Sequence, residues 1–199
     1  ITDFDTVYKF GKDKEIITIE IENVNTEALK LLEKEGKQVY PQPELIELIQ
    51  DKGLQKMFYQ RNNIPTADFF LIETKDQISK YADFFPFFQK LRKGGYDGKG
   101  VVKLTNPDNL EKAFTEPSVL ERLVDFDKEI SVVVARSVSG ECKCFPAVEC
   151  EFNPHANLVE FLFSPANIKK NIEKEAYAIA VQIADKLKIV GLLAVELFL

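Results

Sequence analysis

Four glycines fall within seven residues, Gly94-Gly95-Tyr96-Asp97-Gly98-Lys99-Gly100, and this loop separates two apolar strand-like runs, residues 84–91 and 101–104. Glycine lets a backbone turn sharply and approach a ligand closely, with its amides free to face an anion. The loop is not a Walker A sequence. Only three residues separate Gly94 from Gly98, Lys99 is followed by Gly100 rather than Ser or Thr, and no helix follows. Nor does it fit a dinucleotide fingerprint. It reads as an anion cradle or as a plain hairpin loop. Lys90, Arg92, Lys93, Lys99 and Lys103 gather positive charge around it, which suits phosphates.

That local charge matters because the 199-residue chain carries a net charge of −6, which argues against general nucleic-acid binding. Hydrophobic residues make up 45% and charged residues 29%, as in soluble globular proteins. The length allows one large domain or parts of two. The longest apolar stretch, 189–199, is broken by Glu196 and is too short for the ~20 residues of a membrane helix. The three cysteines, Cys142, Cys144 and Cys150, form no CxxC pair. They read as buried thiols in a reducing, cytoplasmic setting. The start lacks Met and signal-peptide regions, and the end falls within a strand-like run. The chain is therefore expected to be a fragment of a longer gene product.

Residues 15–22 alternate into a strand with Ile17, Ile19 and Ile21 on one face. Asn25 or Thr26 caps a helix carrying Ala28, Leu29, Leu31 and Leu32, which Gly36 ends. A short strand at 39–41 precedes one amphipathic helix over 44–60, interrupted only by Gly53. A linker at 62–66 marks a domain boundary. Strands follow at 68–72 and 84–91, with a Thr74-capped helix between them through about residue 82. The strand at 101–104 leads to a helix starting at Asn106-Pro107. Another strand spans 118–124. Residues 129–138 and 141–152 form a long hairpin through Ser139-Gly140, and 158–163 add a strand. A helix at 171–187 then runs into the strand ending the chain. The phenylalanines at 84, 85, 87 and 88 read as core. Mixed strands with intervening helices imply an α+β or open α/β architecture.

Glu196, alone in an apolar run, is either paired, protonated or bound to a hard cation such as magnesium, or sits at an exposed edge. Glu121 and Glu129 could each accept from a ligand hydroxyl or amine, or serve as ordinary polar strand positions. The single histidine, His155, reads as a turn residue after Asn153-Pro154.

The run from Arg92 through Gly100 resembles the glycine loop of the N5-carboxyaminoimidazole ribonucleotide synthetases, members of the ATP-grasp superfamily. Glu20-Ile21-Glu22-Asn23-Val24, Gln50-Asp51-Lys52 with Lys56, and Ile64-Pro65-Thr66-Ala67 agree in order and spacing. Glu129-Ile130-Ser131 with Ala135-Arg136, Ser164-Pro165-Ala166, and Val190-Gly191 through Ala194-Val195-Glu196 continue the match. The resemblance implies an ATP-grasp fold, two α+β lobes clasping ATP, preceded by the tail of a Rossmann-like domain. Residues 1–63 would close that first domain and its connecting helix. Residues 64–120 would form the small lobe, and 121–199 the beginning of the large lobe.

The resemblance further implies a ligase that uses ATP and bicarbonate to carboxylate 5-aminoimidazole ribonucleotide through carboxyphosphate, in purine biosynthesis, with ADP and phosphate released. ATP and Mg2+ would be the cofactors, and the full-length protein a homodimer. By matched position, Lys52 and Lys90 contact ATP phosphates, with Lys90 and Lys99 catalytic. Gly95, Tyr96, Asp97, Gly98, Lys99 and Gly100 close over the nucleotide. Glu121, Arg122, Leu123 and Val124 line the adenine pocket, Glu129 meets the ribose, and Glu149 also contacts the nucleotide. Tyr96, Asp97 and Lys99 face the aminoimidazole ribonucleotide, and Glu196 holds magnesium. Lys52 stands where relatives often have Arg. Where many relatives carry Glu-Asn-x-His, this chain reads Glu149-Cys150-Glu151-Phe152, keeping the first residue and losing two others. A fragment of this extent is expected to be inactive alone. Another ATP-grasp carboxylate-amine ligase and a noncatalytic nucleotide-binding module are the rival readings.

Overall fold

Asp3 accepts from the Thr6 amide at 2.8 Å and starts a helix that the sequence reading does not include, turning Val7 and Gly11 inward. In the computed structural model, which describes residues 1–95, 99–152 and 159–199, the chain continues from this α1 (Phe4–Gly11). The next elements are β1 (Ile16–Thr18), α2 (Thr26–Lys34), β2 (Gln38–Tyr40), α3 (Pro43–Gln50), α4 (Lys52–Arg61), β3 (Phe69–Ile72), β4 (Phe87–Leu91) and β5 (Val101–Leu104). Then come β6 (Ser118–Arg122), β7 (Glu129–Arg136), β8 (Cys142–Cys144), β9 (Val148–Phe152), β10 (Val159–Phe163), α5 (Lys170–Leu187) and β11 (Gly191–Phe198). Segments Lys75–Phe84 and Pro107–Lys112 are 3-10 helices. No helix among the described residues is long and apolar enough to cross a membrane.

The chain packs as two units. The first comprises Ile1–Gln50, Glu129–Glu149 and Leu162–Leu197; the second comprises Asp51–Lys128, Cys150–Phe161 and Phe198–Leu199. In the first, β1 and β2 are parallel, Ile17 opposite Val39. Val7, Ile17, Ala28, Leu29, Leu32 and Val39 form a core beneath α1 and α2. Asn25 caps α2 through the Ala28 amide at 2.9 Å, and Gly36 follows it at φ +89, the left-handed geometry expected after a helix. Gln42 ties this part to the start of β11, donating to the Lys188 carbonyl at 2.9 Å and accepting from the Val190 amide at 3.0 Å. Strand order in the larger sheet is β10-β9-β7-β11, with β8 also paired to β7. Ile130, Val132 and Val134 are fully buried along β7, and α5 turns Ala176, Ala180, Ile183 and Ala184 inward.

In the second unit four antiparallel strands run β3-β6-β4-β5. The period-two alternation of strands puts Phe87, Leu104, Leu120 and Ile72 on one face. There they pack with Ile78, Phe84 and Ala113 from the 3-10 segments and their flanks. Gln89 is buried among them, donating to the Phe114 carbonyl at 2.9 Å and accepting from the Phe114 amide at 2.9 Å. The opposite face carries Phe88 and Lys90 beside Glu121 and Val119.

Several expectations need correction. The first strand stops at Thr18, because β2 offers only three residues to pair with, and Ile21 is half exposed. The helix over 44–60 is two helices broken at Asp51, whose carboxylate caps the second. Thr74 makes no side-chain cap, and residues after it wind as 3-10 turns kinked at Tyr81. Phe84 and Phe85 precede β4 rather than belong to it, since Pro86 has no amide to donate to a ladder. The strand read over 118–124 ends at Arg122. The second arm of the long hairpin splits into β8 and β9 around Phe145-Pro146-Ala147. None of the three cysteines is buried; each is half-exposed and in no disulfide. His155 lies outside the described residues.

Candidate functional site

The site grows from the face of the β3-β6-β4-β5 sheet that lies opposite its core. Phe88 lies opposite Glu121, and Lys90 lies opposite Val119, so Lys90 and Glu121 are diagonal neighbours on one face. Lys90 Nζ donates to Glu121 Oε1 at 2.5 Å. Lys56, projecting from α4, forms an ion pair with Glu121 Oε2. It also donates to Thr66 Oγ1 at 2.6 Å and lies 5.8 Å from the centre of the Phe69 ring. One buried carboxylate thus holds two ammonium groups, one on each oxygen.

Burial pushes the Glu121 carboxyl upward, but Lys90 and Lys56 outweigh it and hold the carboxyl below its ordinary value. Burial also pushes the Lys56 ammonium below its ordinary value, with Lys90 repelling it, and the attraction of Glu121 does not offset the two. Two cations on one anion leave a formal charge of +1, the sign that suits phosphate oxygens.

A second cluster sits at the base of the glycine loop. Arg92 Nε donates to Asp51 Oδ1 and Nη2 to Oδ2, both at 2.9 Å, the two-pronged geometry that guanidinium and carboxylate favour. Arg92 Nη1 also reaches Glu73 at 3.3 Å. Asp51 Oδ1 accepts from the Gly53 and Leu54 amides at 2.8 and 3.2 Å. Burial raises the Asp51 carboxyl, yet Arg92 and these amides bring it below its ordinary value. The Lys52 amide donates to the Arg92 carbonyl at 2.9 Å, and Lys52 Nζ lies 3.5 Å from the Gly95 carbonyl. The loop's stem is closed by the Leu91 amide donating to the Gly100 carbonyl at 2.8 Å. Gly95 and Gly100 touch: a Cβ on Gly100 would lie 2.9 Å from the Gly95 Cα.

The structure therefore brings Lys52, Lys90, Gly95, Gly100 and Glu121 into one unit. Lys99 is exposed there, whereas Tyr96, Asp97 and Gly98 lie outside the described residues. Arg122 turns to the other face of the sheet, 4.3 Å from the centre of the Phe84 ring, away from Glu121. Leu123 and Val124 follow β6, and Val124 is 40% exposed. Glu129, Glu149 and Glu196 belong to the first unit. Glu149 accepts from the Asn167 amide at 3.1 Å, and Glu196 is exposed on β11. No group of three or more His, Cys, Asp or Glu residues that could hold a metal occurs among the described residues.

Reading the residues one by one misses the roles of Asp51, Gly53 and Lys56. Gly53 looks like a costly helix-interior glycine, but it lies at the first turn of α4, where a Cβ would sit 2.6 Å from Arg92 Nε. The signal for Asp51 was available: an Asp two residues before Gly and three before Leu is a capping pattern.

Two ammonium groups on one carboxylate beside a glycine loop, on an antiparallel sheet with flanking helices, make an α+β lobe suited to holding an anion. More particularly, the chain belongs to the ATP-grasp family, whose domain matches residues 57–199. Residues 1–50 match the ribonucleotide synthetase pre-ATP-grasp domain. The chain is 36% identical to the bifunctional purine synthesis protein of Dictyostelium discoideum, over 95% of this chain and 20% of that protein. It is 34% identical to the N5-carboxyaminoimidazole ribonucleotide synthase of Bacillus subtilis, over 99% of this chain and 53% of that one. The crystal structure of the Staphylococcus aureus N5-carboxyaminoimidazole synthetase complexed with ADP superposes with a TM-score of 0.88 at 28% identity, covering 100% of this chain and 53% of that one. The chain thus spans about half the length of these synthetases.

Proposed function

We propose that this chain serves an N5-carboxyaminoimidazole ribonucleotide synthetase. In that reaction ATP and bicarbonate give carboxyphosphate, and the amine of 5-aminoimidazole ribonucleotide is carboxylated with release of ADP and phosphate. The observation that carries the reading is the Lys56–Glu121–Lys90 cluster beside the glycine loop, in a chain of the ATP-grasp family. Such chemistry depends on neutralising phosphate charge rather than on a covalent nucleophile. Here Glu121 holds the Lys90 ammonium in place before any ligand arrives, so little ordering remains to be done on binding.

Under this proposal Lys52, Lys90 and Lys99 neutralise the phosphates, and the amides from Gly95 through Gly100 cover them. Glu121 through Val124 border the adenine, through their backbone where a side chain turns away, as at Arg122. Tyr96, Asp97 and Lys99 meet the aminoimidazole ribonucleotide. For the first unit, Glu129 and Glu149 are assigned to the nucleotide and Glu196 to magnesium. Magnesium in nucleotide sites is held by one or two carboxylates plus the substrate's phosphates. A single exposed Glu196 fits an ion that arrives with ATP, and the ion would supply charge neutralisation at the transferring phosphoryl group. The proposal includes a homodimer working in the cytoplasm.

The test is ADP release by the complete gene product carrying this sequence, given MgATP and bicarbonate, with and without 5-aminoimidazole ribonucleotide. Strong stimulation with formation of the carboxylated product is the expected result. ATP hydrolysis that ignores the ribonucleotide would redirect the assignment to another acceptor, and no turnover would point to a noncatalytic module.

A further inference from the structure

Asp51, Lys52 and Gly53 start α4, while Arg92 starts the loop that leads to Gly95. Three contacts of different kinds fasten these two chain segments at one point. The first is the paired Arg92–Asp51 hydrogen bonds, with the Asp51 side chain only 4% exposed. The second is the Lys52 amide on the Arg92 carbonyl. The third is steric: the place where a Gly53 side chain would stand is filled by Arg92 Nε at 2.6 Å and Cδ at 3.1 Å. Lys52, whose Nζ reaches the Gly95 carbonyl, hangs directly from this junction.

Asp51 and Arg92 are engaged with each other rather than with a ligand. Asp51 is an anion, with Oδ1 taken by two amides and Arg92 Nε and Oδ2 by Arg92 Nη2. Arg92 spends its charge on Asp51 and Glu73. Their position nevertheless decides where the Lys52 ammonium and the first glycines of the loop stand. We infer that Asp51 and Arg92, with the side-chain-free Gly53 between them, form a positioning lock that sets Lys52 and the base of the glycine loop for nucleotide binding. Asp51 and Arg92 act through Lys52 and the loop and do not touch substrate. The inference rests on the ATP-binding reading proposed above.

The test uses the complete gene product and three variants. Asp51→Asn keeps an oxygen to cap α4, since Asn and Asp cap about equally well, but it presents an NH2 group where Arg92 Nη2 needs an acceptor. Arg92→Ala removes the lock outright. Gly53→Ala leaves both partners and drives Arg92 out of its place. The expected result is a tenfold or greater rise in the KM for MgATP in Asp51→Asn and Arg92→Ala, with kcat changed less than threefold and, in Asp51→Asn, a melting temperature close to the parent's. Gly53→Ala should raise that KM in the parent but add much less in the Arg92→Ala background. There the Arg92 contacts at 2.6 and 3.1 Å are gone and only the Asp51 Oδ1 contact at 3.0 Å remains.

An unchanged KM in Asp51→Asn with a working parent overturns the lock. So does a Gly53→Ala effect of the same size in both backgrounds, because the glycine would then matter for some reason other than Arg92. A parent that binds no MgATP, judged by calorimetry, overturns the functional reading and the inference with it. Should Arg92→Ala fail to fold, the Asp51→Asn comparison still decides.

Discussion

Lys90 and Glu121 stand one diagonal step apart on β4 and β6 and meet at 2.5 Å, while the second oxygen of Glu121 is held by Lys56 from α4. Two elements far apart in sequence are thereby pinned to the same strand by one carboxylate. Glu121 is 6% exposed, so its removal leaves two ammonium groups without their counter-charge.

Glu121→Gln is accordingly expected to destabilise the second unit by about 3 kcal/mol, the range for breaking a buried pair by neutralising one partner. Urea unfolding followed by tryptophan-independent circular dichroism measures it, the chain having no Trp. A loss below about 0.5 kcal/mol would mean that water already screens the cluster.

The same group gives stability an acid dependence. Glu121 and Asp51 have folded values below their ordinary 4.5 and 3.8, held there against burial by the Lys90 and Lys56 ammonium groups and by Arg92 with the α4 amides. Below those ordinary values the unfolded chain takes up protons that the folded chain still refuses. Stability therefore rises with pH through that window, is fully present above about pH 5, and is lost as pH falls through the folded values. The urea midpoint should hold between pH 8 and 6 and drop below pH 4.5. Glu121→Gln should drop less steeply, and parallel curves would remove Glu121 from the explanation.

Legibility followed the range of the interaction. Asn25 and Gly36 bound α2 by contacts with residues a few positions away, and Ile130, Val132 and Val134 announce β7 by simple alternation. Asn106-Pro107 starts a helical turn as expected, though a 3-10 one. The break at Asp51 was hidden because the stripe of Leu45, Leu48 and Ile49 continues at helical spacing through Lys52, Lys56 and Tyr59, while Arg92, which holds Asp51, lies 41 residues away. Glu121 could be singled out as a polar residue in a strand, but not as the partner of Lys90, 31 residues distant. Cys142, Cys144 and Cys150 share even spacing, yet Pro146 splits their strand and leaves each half-exposed. The resemblance supplied the site residues by order along the chain; the fold decides which share a face, and it turns Arg122 away from Glu121.

Gly94 and Gly100 separate two reasons for glycine in the loop. Both have positive φ, +77 and +79, but a Cβ on Gly94 meets nothing within 4 Å whereas one on Gly100 meets the Gly95 Cα at 2.9 Å. Gly94→Ala is expected to cost about 1 kcal/mol from backbone strain alone. Gly100→Ala should cost more and also raise the KM for MgATP, because the Gly95 backbone must give way. Equal costs, from thermal unfolding of both variants, would show that the contact yields freely.

Lys90→Ala tests the phosphate assignment most directly, because its structural side effect is small. Glu121 keeps Lys56 on its other oxygen, so the buried carboxylate remains paired and the sheet keeps its register. What is lost is one positioned ammonium on a face whose formal charge falls from +1 to zero. In the complete gene product the dissociation constant for MgATP should rise at least tenfold, about 1.4 kcal/mol, while Lys112→Ala, an exposed lysine on the second 3-10 segment, should stay within twofold. Calorimetric titration at two salt concentrations adds a check on mechanism: added salt weakens long-range attraction more than a seated contact. The gap between parent and Lys90→Ala should therefore persist at high salt if Lys90 touches phosphate, and vanish if it only contributes to a diffuse positive field.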